Sequence, residues 1–309
     1  MIDIWRVGIV PEPIEKALNP EGLDKKSRVI WLPDQGPFRY IADPFGLAHD
    51  GLFTVLVEFY DHRVGRGEIH YYSYDAAWRL KERGVALRQD FHLSYPHLIR
   101  QGEDIFMLPE AYQSGRLTLY QAVDFPRTWR PVAVLMEEPA VDATVVRHQD
   151  RWWMFHALHG QDGRDLRELH VAFADDLTGP WRGHAANPVR TGRESSRPGG
   201  SPIVHNGQLY LPAQDCVAGY GSALHLLRID ELSPDAFSAS IVRRLSPEGW
   251  LHGYRDGLHT LSDGGAVTLI DVKRNKRPRM RHVIKMRKWL RRQLNRMRPG
   301  KPVSEAPSG

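Results

Sequence analysis

The chain has 309 residues, 41% hydrophobic and 26% charged, enough to bury one large β or α/β core or two small ones. Its single cysteine, Cys216, excludes an intramolecular disulfide framework. Residues 273–309 hold fourteen basic residues and one acid, leaving 28 basic and 36 acidic residues in 1–272. The body is therefore acidic at −8, and the pI near 9.3 belongs to a +13 tail, which argues against nucleic acid as the partner of the body.

The opening MIDIWRVGIVPEP lacks a basic stretch followed by a long apolar run, and no window reaches the roughly 18 apolar residues of a membrane span. A cytoplasmic location is expected. From Ala42 onward five segments share one shape: a short polar or proline-containing lead, an apolar stretch, a Gly or Asp turn and a β-rich run. They are ADPFGLAHDGLFTVLVEFY, SYPHLIRQGEDIFMLPEAY, VDATVVRHQDRWWMFHALH, GSPIVHNGQLYLPAQDC and GLHTLSDGGAVTLIDVK. With Asp43, Tyr95, Asp142, Ser201 and Leu258 as equivalents, the steps are 52, 47, 59 and 57 residues.

Each unit reads as strand, tight turn, strand, because HDG, QGED, HQDR, HNG and SDGG are hairpin turns flanked by β-branched and aromatic residues. Between units, EIHYYSYD, RLTLYQAVD, ELHVAFADD and ALHLLRID supply further strands, giving four per unit. No amphipathic helix separates them, as an α/β fold would need, and a sandwich does not explain a fivefold period. The predicted fold is all-β: a five-bladed β-propeller over 1–272, followed by a basic tail over 273–309 that forms an amphipathic helix.

In a propeller the innermost strands face the axis, so equivalent positions converge on a central pocket. Glu58 falls fifteen residues after Asp43, and Glu110 fifteen after Tyr95; Gln214, Asp215 and Asp271 fall near the same register in later units. The lead positions add Asp142, His97 and His259. A ring of carboxylates, amides and aromatics suits sugars, which are bound by directed hydrogen bonds and flat apolar faces. Two carboxyl groups across a glycosidic bond supply an acid and a base or nucleophile. The competing roles are turn capping for Asp43 and Asp142, an inter-blade polar network for Glu58 and Glu110, and ordinary structural roles for His97 and His259. Trp129, Trp152, Trp153 and Trp181 read as blade packing. HExxH, paired CxxC, phosphate-loop and serine-elbow motifs are missing, so neither a cofactor nor a metal is expected.

ADPF, and DDLTGPW with the NPV that follows, resemble the five-bladed propellers of glycoside hydrolase families 43 and 32. More specifically, SYPHLI, LPEAY, LPAQDCVAGYGSALHLLRIDELSPDAF and GLHTLS resemble the N-terminal domain of the plant glucosamine inositolphosphorylceramide transferases and their bacterial relatives, over about residues 37–275. The hydrolase resemblance implies that Asp43 is the base or nucleophile and Asp142 the aspartate that tunes and orients. Those hydrolases place the general acid after the second aspartate, whereas Glu110 precedes Asp142 and the fourth unit offers Gln214 and Asp215. The catalytic candidates are thus Asp43, Glu110 and Asp142; the substrate-binding candidates are Glu58, Tyr95, His97, Gln214, Asp215, His259 and Asp271. The transferase resemblance implies a role in glycan or glycolipid assembly. Because transfer chemistry in the plant proteins is ascribed to a separate domain, it also opens a second reading: a glycan-binding module serving a partner glycosyltransferase.

Residues 273–298 carry thirteen positive charges and no acid. After Pro278, Met280, Val283, Ile284, Met286, Leu290, Leu294 and Met297 share one broad side of a helix, the form of a membrane-surface anchor. The expectation is peripheral attachment to an anionic membrane at its inner face.

Overall fold

The computed structural model describes residues 2–25 and 28–276. Among them, five antiparallel sheets form a five-bladed β-propeller. Blade 1 comprises Arg39–His49, Leu52–Asp61, Arg66–Tyr74 and Leu80–Leu87, from the axis outward. Blade 2 comprises Ser94–Gln101, Asp104–Glu110, Leu117–Asp124 and Thr128–Met136. Blade 3 comprises Ala140–His148, Arg151–Leu158, Glu168–Ala174 and the short Arg182–Gly183. In blade 4 the inner strand is split into Arg197–Pro198 and Ile203–His205, before Gln208–Asp215, Ala223–Leu232 and Phe237–Leu245.

The hairpin turns take the conformations their residues suggest. HDG, HQDR and HNG each place two successive residues at positive φ: Asp50 and Gly51 (48° and 74°), Gln149 and Asp150 (50° and 61°), Asn206 and Gly207 (51° and 76°). Paired left-handed residues match the twist of the strands they join.

The second strand of each blade is apolar on both faces because alternate side chains serve two different neighbours. In blade 1, Val55 and Val57 pack against Val7, Ile9 and Leu269 of blade 5, while Leu56 packs with Leu93 and Met107 of blade 2. In blade 3, Trp152 and Met154 meet Leu108 and Leu119, whereas Trp153 and Phe155 meet Leu209 and Leu211. Ile203, Leu224 and Leu226 join Ile4, Ile270 and Val272 between blades 4 and 5. The core is thus five inter-blade layers, and Trp152 and Trp153 are packing residues, as expected.

Blade 5 departs from the sequence reading. After Leu261–Asp263 and Thr268–Lys276 its next strand is Ile2–Val10, followed by Ile30–Trp31. Nine residue pairs, from Ile2 with Lys276 to Val10 with Thr268, close the ring. The last strand therefore runs to Lys276, past the 272/273 division expected from charge, because Lys273 to Lys276 are paired with Ile2 to Trp5. The amphipathic helix expected after Pro278 lies outside the described residues. Among the described residues, no helix is long and apolar enough to cross a membrane.

Candidate active site

Three of the five lead positions are built alike. Asp43, Tyr95 and Asp142 adopt left-handed backbone conformations, with φ of 51°, 45° and 48°, and each sits where the register with the next strand slips: between Ala42 and Phe45, Ser94 and His97, and Val141 and Thr144. Such a bulge turns one side chain out of the strand's alternation, here toward the axis, at a cost in backbone strain. Carboxylates from neighbouring blades capture the amides it frees. Asp271 Oδ2 accepts from the Asp43 N–H (3.0 Å), Asp43 Oδ2 from Tyr95 (3.3 Å) and Glu110 Oε2 from Asp142 (3.3 Å). In blade 4 the positive φ falls on Gly200 (129°), and no described residue of blade 5 from Gly257 to Asp263 has one. There the inner strands bond to each other instead, Ser201 N–H to Leu261 O (3.0 Å) and Leu261 N–H to Gly199 O (2.9 Å). A side chain at Gly200 would place its Cβ 1.9 Å from Leu261 O, so only glycine fits.

At this ring lies a cavity of about 430 Å³ to which all five blades contribute, lined by Asp43, Glu58, Glu110 and Asp142 together with Arg197 and Tyr220. Trp5, Tyr40, Tyr60 and Tyr112 supply aromatic walls, and Asp3, His62, His92 and Gln113 complete its polar surface.

The four carboxyl groups are not equivalent. Arg197 Nε donates to Asp142 Oδ2 at 2.6 Å, its Nη1 donates to Asp165 at 2.9 Å, and its Nη2 lies 3.9 Å from Glu110. Gln214 Nε2 also donates to Asp142 (2.7 Å). Asp43 faces His259, whose Nε2 is 3.4 Å from Asp43 Oδ1 and whose Nδ1 is 2.7 Å from Asp271 Oδ2. Burial pushes the Asp43 carboxyl up to about 6, with His259 opposing that rise and Asp142 adding to it. Glu58 and Glu110 are raised well above the ordinary glutamate value, first by burial and then by neighbouring acids, Asp43 for Glu58 and Asp142 for Glu110. Tyr40 shares a hydrogen bond with Glu58, and His92 Nε2 is 3.6 Å away. Burial holds His92 down at about 4, so it is a neutral neighbour; its Nδ1 accepts from Gly67 N–H (2.8 Å).

The structure brings Asp43, Glu58, Glu110 and Asp142 to one cavity and sets the other candidates around it. Gln214 is buried behind Asp142, and His259 and Asp271 are buried behind Asp43. Tyr95 and His97 lie below the cavity among the inner strands: the Tyr95 hydroxyl accepts from Gly200 N–H (2.7 Å), and His97 Nε2 is 3.2 Å from the main chain of Val145. Asp215 stands apart, bonded to Arg244 (3.3 Å). Arg197, Tyr220, Trp5, Tyr40 and Tyr112 were not singled out in the sequence. Arg197 lies in the first piece of the split inner strand of blade 4 and Tyr220 in a loop, both outside the aligned registers, and Trp5 precedes the first unit.

The fold and this site define the class: a five-bladed β-propeller with a carboxylate-lined axial cavity. Solved structures that share the fold include a β-1,2-mannobiose phosphorylase from Listeria innocua (TM-score 0.57, 10% identity, covering 82% of this chain and 95% of that one). An α-L-arabinofuranosidase from Podospora anserina aligns with a TM-score of 0.53 at 10% identity, over 79% of this chain and 93% of that one. Within that fold the family is specific. Residues 33–247 match the model described as glucosamine inositolphosphorylceramide transferase 1, N-terminal, and the chain belongs to that family. Proteins named glucosamine inositolphosphorylceramide transferase 1 are 30% identical to it: that of Arabidopsis thaliana over 65% of this chain and 27% of its own length, and that of Oryza sativa subsp. indica over 75% and 34%. The chain thus spans about a third of the length of these relatives.

Proposed function

We propose that the axial cavity binds one sugar residue of a glycan or glycolipid and that its carboxyl groups cleave or transfer the glycosidic bond. The observation that carries this reading is the sorting of four carboxyl groups in one aromatic-walled cavity: Asp142 bonded to Arg197, Asp43 facing His259, and Glu58 and Glu110 favouring their protonated forms. Environments that split the protonation of neighbouring acids assign acid and base. Glu110, whose burial beside Asp142 favours the protonated carboxyl, gives its proton to the leaving oxygen as the C–O bond breaks. Asp43, with its higher charge, takes the proton from the attacking water or acceptor hydroxyl as the new C–O bond forms. Arg197 fixes Asp142 beside them.

Family membership supports a place in surface glycan or glycolipid assembly, and the basic residues beyond the last strand favour an anionic membrane surface at the cytoplasmic face, at about 1 kcal/mol per well-placed cation. A second reading, a glycan-binding module that presents substrate to a partner glycosyltransferase, is supported by the match to a family segment described as N-terminal.

A glycan-array screen of the full chain identifies the ligand, and turnover of that ligand separates the readings. Asp43→Asn and Glu110→Gln should each lower turnover by about 10²–10⁴-fold, with the fold retained. Ligand binding without turnover in the native chain assigns the module reading; unfolding of both variants assigns the carboxyls a structural role.

A further inference from the structure

His259 was a candidate for touching substrate, but its surroundings give it another task. Its ring is only 2% exposed and stacks on Trp5 with centroids 3.8 Å apart and planes 14° apart, while Tyr220 meets its edge at 5.3 Å. Trp5 covers one side of the imidazole, so His259 faces Asp43 and Asp271 and not the cavity.

The two aspartates differ in what they can still accept. Asp271 takes N–H donors from the main chain of Asp43 (3.0 Å), His259 (3.1 Å) and Thr260 (3.1 Å), and faces the His259 ring nitrogen at 2.7 Å. That fills the roughly four acceptor sites of a carboxylate. The three side chains also offer ligand atoms within 4.8 Å of one another, but a carboxylate saturated by N–H donors has no lone pair left for a cation. Asp43 instead receives Thr260 Oγ1 (3.2 Å), Tyr95 N–H (3.3 Å) and His259 Nε2 (3.4 Å). One of its acceptor sites is left for the cavity it lines.

We propose that Asp271 clamps His259 as an imidazolium, and that this buried cation is a positioning residue which keeps Asp43 charged and directs its free lone pair toward the sugar. The proposal rests on the carbohydrate reading only for the identity of the substrate. The charged and titratable groups around the ring are Asp271 and Lys273 of blade 5, Asp43 of blade 1, Asp142 of blade 3 and Tyr220 of blade 4; Lys273 lies over Trp5 at 5.1 Å, on no direct contact with the imidazole. Burial opposes protonation of His259, and the attraction of Asp271 and then Asp43 outweighs it, so its affinity for a proton rises above the ordinary histidine value.

The test is an NMR titration of the histidine rings in the full, ligand-free chain labelled with ¹⁵N-histidine. His259 should be mainly protonated on both ring nitrogens at pH 6.5, and Asp43→Asn should lower its midpoint by about 1–3 pH units, the effect of removing one close opposite charge. In the same preparation, the acid limb of glycan turnover should move to higher pH in His259→Gln, with KM unchanged, because Asp43 loses its cation. A singly protonated His259 ring at pH 6.5 in the native chain, or a midpoint unmoved by Asp43→Asn, would overturn the proposal, and the first of these needs no variant to fold. Absence of glycan binding and turnover sinks the carbohydrate reading instead and leaves the ring titration as it stands.

Discussion

Asp43 and Asp142 occupy matching bulges two blades apart, with φ of 51° and 48°, yet their cations differ. Arg197 reaches Asp142 at 2.6 Å from a guanidinium that is always charged, and it joins Asp165 and Glu110 to the same cluster. His259 reaches Asp43 at 3.4 Å through a ring whose charge depends on Asp271. The blade 3 side of the cavity is therefore electrostatically locked, while the blade 1 side is adjustable. That division suits a site in which one acid must hold its charge and another must gain and lose a proton.

Replacing Arg197 with methionine should break the locked side most severely. It leaves the buried Asp142 carboxylate with Gln214 and Glu110 and without its cation, and losing one half of a buried pair costs about 3–5 kcal/mol. Denaturant unfolding of Arg197→Met should show this loss with little change across neutral pH; a loss under about 1 kcal/mol would mean that water reaches Asp142 and that the cavity is not closed there.

His259→Gln should cost less, and its cost should depend on pH. A histidine whose proton affinity is raised by folding contributes its stability fully below the unfolded value near 6.5, and that contribution fades as pH climbs through the folded value. The variant should therefore be destabilised most in mild acid and least in alkali. Equal loss at pH 5.5 and pH 9 would show that the ring matters for packing on Trp5 and not for charge.

Glu58→Gln should show the smallest effect, with the same direction of pH dependence but a gain over the native chain in place of a loss. A buried carboxyl raised above the ordinary 4.5 favours the folded state only while protonated, so the native chain loses stability as pH rises above 4.5 toward the folded value. Glutamine keeps the shape without the charge, and its melting temperature should overtake that of the native chain progressively above pH 5. A constant difference across that range would mean that Glu58 is hydrated and titrates normally.

Local pattern alone determined much of this protein. The alternation of apolar and polar residues, the HDG, HQDR and HNG turns and the repeat spacing specified blades, because hairpins form from neighbouring residues and the period counts them. The same register exposed Asp43, Glu58, Glu110 and Asp142 as a convergent set, since equivalent positions on repeated units meet at the axis. Only the closed ring decided the rest. Ile2–Val10 carries no unit signature, yet it completes blade 5 because Thr268–Lys276 needs a partner edge, and with it Trp5 is carried into the cavity wall. Arg197 comes from the first piece of blade 4's inner strand, which is broken around Gly200, and Tyr220 from a loop of the same blade, where no repeat position marks them. His259 had been grouped with the sugar-facing residues; its clamp by Asp271 and its cover by Trp5 arise from contacts across blades 5, 1 and the N-terminal strand. Sequence periodicity reports which residues point to the axis, but which of them face substrate and which support a neighbour depends on packing between segments far apart in the chain.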